Sequence, residues 1–225
     1  FTGGPVALEQ ALGNGKRITI SGPDELNYTD ILAYTLIDES FGVESSSEIK
    51  VLWKEQNEYI NFDSYDLDEN GIVDYVEWIV PHLSNQTFII EIIKADHLDS
   101  KREFISDIYD YVKAKDDNWS ETIPNRHYVR VVFERNLTSN NDITIFPRII
   151  SGNPEIDIYE KDGNDIIAEF DSIIENQYNK VFLTNLNGSQ DTFDLRVRKG
   201  SLEFDHIIDP ANPLNIDFVI PSPFS

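Results

Sequence analysis

Short runs of Ile, Val, Tyr and Phe alternating with polar residues recur along almost the whole chain. They include Arg17–Ile20, Ile31–Leu36, Ile49–Trp53, Tyr59–Phe62 and Phe88–Ile93 in the first part. The series continues with Tyr128–Phe133, Asp142–Phe146, Ile156–Tyr159, Ile166–Phe170, Val181–Leu183, Thr192–Val197 and Leu202–His206. A two-residue period in runs this short predicts strands with one buried face. Asp162-Gly163 and Asn187-Gly188 lie between such runs, and pairs of that kind supply the positive φ values of tight hairpins. Many short strands broken by turn signals predict an all-β chain of β-sandwich type, immunoglobulin-like or jelly-roll, rather than a parallel α/β sheet. Helical signals are few. Pro5–Leu12 has the length of two helical turns ended by Gly13, and Phe104–Val112 fits a helix face and a strand about equally.

A division near residue 95 is expected, with a first β-sandwich domain over 1–95 and a second over 96–209. Residues 210–225 form a proline-punctuated tail in which Leu214–Ile220 reads as one further strand. A lone strand beyond a finished domain can fold back on its own sheet edge or add to the edge of a neighbouring copy. The second outcome would build a polymer or lattice.

Residues 66–77 read Asp-Leu-Asp-Glu-Asn-Gly-Ile-Val-Asp-Tyr-Val-Glu, which matches the EF-hand calcium loop at each defined position. Asp66, Asp68 and Asn70 fall at positions 1, 3 and 5, where alternate side-chain oxygens converge on a hard cation. Gly71 permits the sharp turn, Ile72 offers its carbonyl, Asp74 stands at position 9, and Glu77 is placed to close the sphere with both oxygens. Val73 suits a residue that anchors the loop to a core. An all-oxygen donor set selects Ca2+, Mg2+ or Mn2+ over zinc, and Ca2+ is expected. An acidic turn without an ion would carry the same letters, but four carboxylates this close repel one another unless neutralised. The flanks differ from a calcium sensor, which needs an amphipathic helix on each side. Asn57–Phe62 is strand-like, and Tyr75–Val80 allows at most two helical turns before Pro81. The ion is therefore expected to be a structural clasp.

The chain carries 41 acidic and 18 basic residues, a formal net charge of −23. That excess argues against nucleic acid and anionic membrane as partners, because neither offers cations to pair with. Most single carboxylates outside the loop read as solvated surface. There is no cysteine, so disulfides and thiolate chemistry are excluded. No apolar run approaches the roughly 20 residues that span a bilayer as a helix. The chain opens with Phe1 rather than methionine, as a removed secretion signal or excision from a longer chain would leave it. Five Asn-x-Ser/Thr acceptors, at Asn27, Asn85, Asn118, Asn136 and Asn187, favour a glycosylated exported protein.

No G-x-S-x-G elbow, H-E-x-x-H pair or P-loop occurs, and no catalytic residue is expected. The four histidines, at 82, 97, 127 and 206, show no ligand spacing and read as turn or sheet-surface residues. Trp53 and Trp78 read as core, whereas Trp119 in Asp116–Ser120 is the best candidate for an exposed sugar-stacking ring.

The loop, its continuation Glu77–Thr87, Asn136-Leu-Thr, Gly188–Leu195 and Leu202–Pro210 together resemble segments of predicted surface proteins of uncultured archaea. The likeness covers roughly residues 30–210. It implies a secreted, cell-surface β-sandwich protein, and only the loop positions carry over residue by residue. A structural subunit of a filament, pilus or surface layer is the expected function. A carbohydrate-binding or adhesive module with glycan partners is the alternative.

Overall fold

The computed structural model describes residues 4–23 and 28–208. The predicted tail strand Leu214–Ile220 and the acceptor Asn27 lie outside the described residues. The chain is all-β: the described strands form three antiparallel sheets.

A five-stranded sheet has the order β1-β2-β8-β4-β5. Its strands are β1 (Val6–Leu12), β2 (Gly15–Ser21), β4 (Ile49–Trp53), β5 (Glu58–Tyr59) and β8 (Asn85–Ile92). A three-stranded sheet has the order β3-β7-β6, from β3 (Thr29–Leu36), β6 (Asp63–Tyr65) and β7 (Tyr75–His82). Alternation decides the buried faces. Ile18 and Ile20, Val51 and Trp53, and Phe88, Ile90 and Ile92 point into a cluster that Val76, Trp78 and Val80 enter from the other sheet. The Trp78 and Phe88 rings meet there with centroids 5.4 Å apart. Burying a side chain of this kind is worth roughly 1.5–3 kcal/mol.

Pro5–Leu12, read above as two helical turns, forms strand β1 from Val6 onward. It pairs with β2 through its whole length, from Val6 opposite Ser21 to Leu12 opposite Gly15. A two-residue turn at Gly13-Asn14 makes that pairing local, and ladder hydrogen bonds override a weak helical pattern. Tyr75–Val80 is likewise strand, within β7.

The second part holds a seven-stranded sheet with the order β10-β9-β11-β15-β12-β13, plus β14 beside β12. These strands are β9 (Lys94–Leu98), β10 (Phe104–Asp107), β11 (Tyr128–Leu137), β12 (Asp142–Glu160), β13 (Ile166–Phe170), β14 (Asn179–Phe182) and β15 (Gln190–Ile208). The ambiguous segment 104–112 divides between β10 and a single helical turn, α1 (Tyr109–Val112). The runs Asp142–Phe146 and Ile156–Tyr159 belong to one 19-residue strand, and Thr192–Val197 and Leu202–His206 to another. The breakers between them are bulges rather than ends. The register of β12 against β15 shifts at Phe146/Pro147, Ile149/Ser151 and Gly152/Glu155. A proline has no N–H to give the ladder and so settles at such shifts. Gly152 has φ +71°, and a Cβ there would run into the Lys199 carbonyl. The bulges bend the sheet, so that Ile143 and Ile145 share one buried cluster with Ile156, Ile158, Leu195 and Phe204.

Candidate metal centre

The 66–77 loop joins β6 to β7. Its backbone is tied to three separate segments: Val73 N–H donates to the Val43 carbonyl (2.8 Å), Asp74 N–H to Tyr65 (3.1 Å), and Ile37 N–H to the Asp74 carbonyl (2.8 Å). Val73 is 7% exposed and belongs to the first cluster, so one apolar side chain pins the loop to the core.

Within the loop, the Asp66 carboxylate accepts hydrogen bonds from Gly71 N–H (2.7 Å) and Asn70 N–H (3.1 Å). The first of these holds the Asp66 carboxyl below its usual range, against a smaller opposing effect of burial. Gly71 takes φ +91°, a conformation that needs glycine to aim its N–H inward. Asp68 accepts from Asn70, Asn70 accepts from Ile72 N–H (2.8 Å), and Asp74 accepts from Leu67 N–H (3.0 Å). One oxygen each of Asp66, Asp68 and Asp74 lies within 4.8 Å of the other two. That spacing fits three carboxylates around one hard cation, whose oxygen ligands stand 2.3–2.6 Å from the ion in calcium sites.

Glu77 stands differently. It lies in β7 opposite Tyr34 of β3 and Asp63 of β6. Its oxygens accept from the hydroxyls of Tyr65 (3.2 Å) and Tyr75 (3.0 Å). The reason is the strand. A helix leaving the loop keeps position 12 about 4.5 Å along the axis from position 9, whereas a strand carries it about 10 Å away. The same hydrogen bonds raise the Tyr65 hydroxyl above its ordinary pKa. Burial, then the bond to Glu77, raises Tyr75.

The other candidates are placed as follows. Asn85, Asn118, Asn136 and Asn187 are all exposed. Trp53 and Trp78 are buried. Trp119 is half-buried, and the Arg148 guanidinium covers its ring at 4.5 Å, which leaves it a poor sugar platform. A more open aromatic surface lies on the outer face of the three-stranded sheet. There Tyr34 stacks on Tyr75 (5.6 Å) and Tyr75 meets Tyr65 (5.8 Å), with Leu32, Leu36 and Ile79 exposed beside them. A cleft of about 530 Å³ lined by Trp53, Tyr59, Phe62, Asp63 and Glu77 adjoins this face. Alternation in β3 and β7 signals such a face in the sequence, but only if both strands are known to share a sheet. No protein-family model matches this chain, and no curated protein matches its sequence.

Proposed function

We propose that this chain is a non-catalytic structural module of the cell exterior, braced by one calcium ion in the 66–77 loop and working as a subunit of a filament, pilus or surface layer. The supporting observation is the position of the Asp66–Asp68–Asp74 cluster, in a loop whose backbone bonds to the ends of three other segments. An ion there would stiffen a joint. The Asn70 side chain and the Ile72 carbonyl complete the near ligands. Glu77 joins only by exchanging its tyrosine partners for the ion. In this reading the five- and three-stranded sheets are the layers of a first β-sandwich, and a second domain begins near residue 95. The exposed glycosylation acceptors support export. Subunits join by strand addition at open sheet edges.

Calorimetry with and without calcium tests the brace. The melting temperature should rise with calcium and fall on chelation, and Asp66→Asn should remove the response. An unchanged melting curve would overturn it. Electron microscopy of the full chain with calcium should show fibres or sheets, and a strictly monomeric particle would refute the polymer. The tyrosine face favours a second reading, a glycan-binding module. Retention on immobilised neutral glycans that is lost in Tyr34→Ala would select it.

A further inference from the structure

His97 of β9 and His127, just before β11, are brought together by the pairing of Val129 with His97. Thirty residues separate them in sequence, so no motif announces the pair. His97 is 3% exposed. Its Nδ1 lies 2.7 Å from the Glu121 carboxylate and its Nε2 lies 2.9 Å from His127 Nδ1. Glu121 is held in turn by the Ser106 hydroxyl.

These contacts fix the tautomers. An ionised carboxylate only accepts, so His97 Nδ1 carries the hydrogen and its Nε2 presents a lone pair toward His127. A carboxylate that orients an imidazole so that the other nitrogen is free to ligate is the usual outer shell of a metal-binding histidine. With metal–nitrogen bonds of about 2.0–2.1 Å, two nitrogens 2.9 Å apart subtend about 90° at the ion. That is the cis angle of tetragonal or octahedral coordination, which suits Cu2+ or Ni2+ better than tetrahedral zinc.

We infer that His97 Nε2 and His127 Nδ1 form a binding site for a late first-row divalent ion of the Cu2+ or Ni2+ class, with Glu121 as the positioning residue. On binding, His127 changes tautomer: its Nδ1 proton leaves to solvent while its Nε2 takes one up, and the Nδ1 lone pair goes to the metal. The site is separate from the 66–77 loop, and its donors are imidazole nitrogens instead of oxygens.

The test is Cu2+ titration of the full chain carrying Asp66→Asn and Asp68→Asn, followed by electron paramagnetic resonance. One Cu2+ per chain should bind with a two-nitrogen signature. His127→Gln should abolish that species, and Glu121→Gln should weaken it about 10- to 100-fold. Unchanged melting temperatures of the metal-free variants would show that folding is intact. In the chain with His127 intact, the nitrogen resonances of His97 and His127 should broaden first on adding Cu2+. An all-oxygen signal, the same signal in His127→Gln, or earlier broadening at His82 or His206 would mean an adventitious ion only and would overturn the inference.

Discussion

In the 66–77 loop three carboxylates crowd together at the surface and are met by backbone N–H groups. In the seven-stranded sheet Asp194 is fully buried and is met by two guanidinium groups, Arg102 at 2.8 Å and Arg130 at 2.7 Å. Burial disfavours the charge on Arg130, yet its bonds to Asp194 and Asp162 raise its pKa further. The first 95 residues hold 17 acidic and 5 basic side chains, whereas the remaining 130 hold 24 and 13. The second region therefore carries enough cations to neutralise its buried carboxylates internally. The first is poorer in cations, and its loop rich in oxygen donors is where an outside cation would supply charge. The two regions also differ in response: an internal ion pair is present in all media, whereas a metal brace exists only where the metal does.

Asp194→Ala should be the most damaging change. It strips Arg102 of its carboxylate and leaves Arg130 only the exposed Asp162, and breaking a buried pair costs about 3–5 kcal/mol. Urea unfolding should show the full loss whether or not calcium is present. Calcium-dependence of that loss would mean the two regions are not independent.

Glu48 lies at the junction of the two regions, 3.7 Å from Lys94, with its side chain buried. Burial first, then the charge of Asp107, pushes its carboxyl up to about 7. The folded state thus binds a proton more tightly than the unfolded chain, so stability falls as pH rises from about 4.5 to 7. The loss is at most about 3 kcal/mol at 1.36 kcal/mol per pKa unit. Glu48→Gln should flatten this part of the stability–pH curve. A slope that survives the substitution would assign it elsewhere.

Calcium at about 100 times its dissociation constant should add about 2.7 kcal/mol to the stability of the wild-type chain and nothing to Asp66→Asn. Glu77→Gln sharpens the comparison. If Glu77 leaves its tyrosines for the ion, calcium affinity should fall by tenfold or more. If it stays with Tyr65 and Tyr75, the affinity should hold.

Val73→Ala should have the smallest effect on the fold. It removes two methylene equivalents, about 1.6 kcal/mol at 0.8 kcal/mol each. Calcium affinity should fall with it, because Val73 is the loop's apolar anchor. An unchanged affinity would show that the backbone bonds to Val43 and Tyr65 suffice.

Much of the β content was legible because alternation is a local signal. Arg17–Ile20, Ile49–Trp53 and Ile166–Phe170 became strands where their side-chain period placed them. The loop letters also identified the carboxylates that come together, since Asp66, Asp68 and Asp74 are held by hydrogen bonds between near neighbours. The strand character of Val6–Leu12 was hidden because it depends on pairing with β2, and pairing outweighs local propensity. Pro147 and Gly152 lie between the runs Asp142–Phe146 and Ile156–Tyr159, yet the long β12–β15 ladder absorbs both at register shifts. The place of Glu77 turned on whether a helix or a strand leaves the loop, since the two elements advance by different distances per residue. The pairing of His97 with His127 came only from the register of β9 against β11. Local order thus followed from side-chain period and turn chemistry. Which distant side chains meet was decided by sheet register, a property of the whole fold.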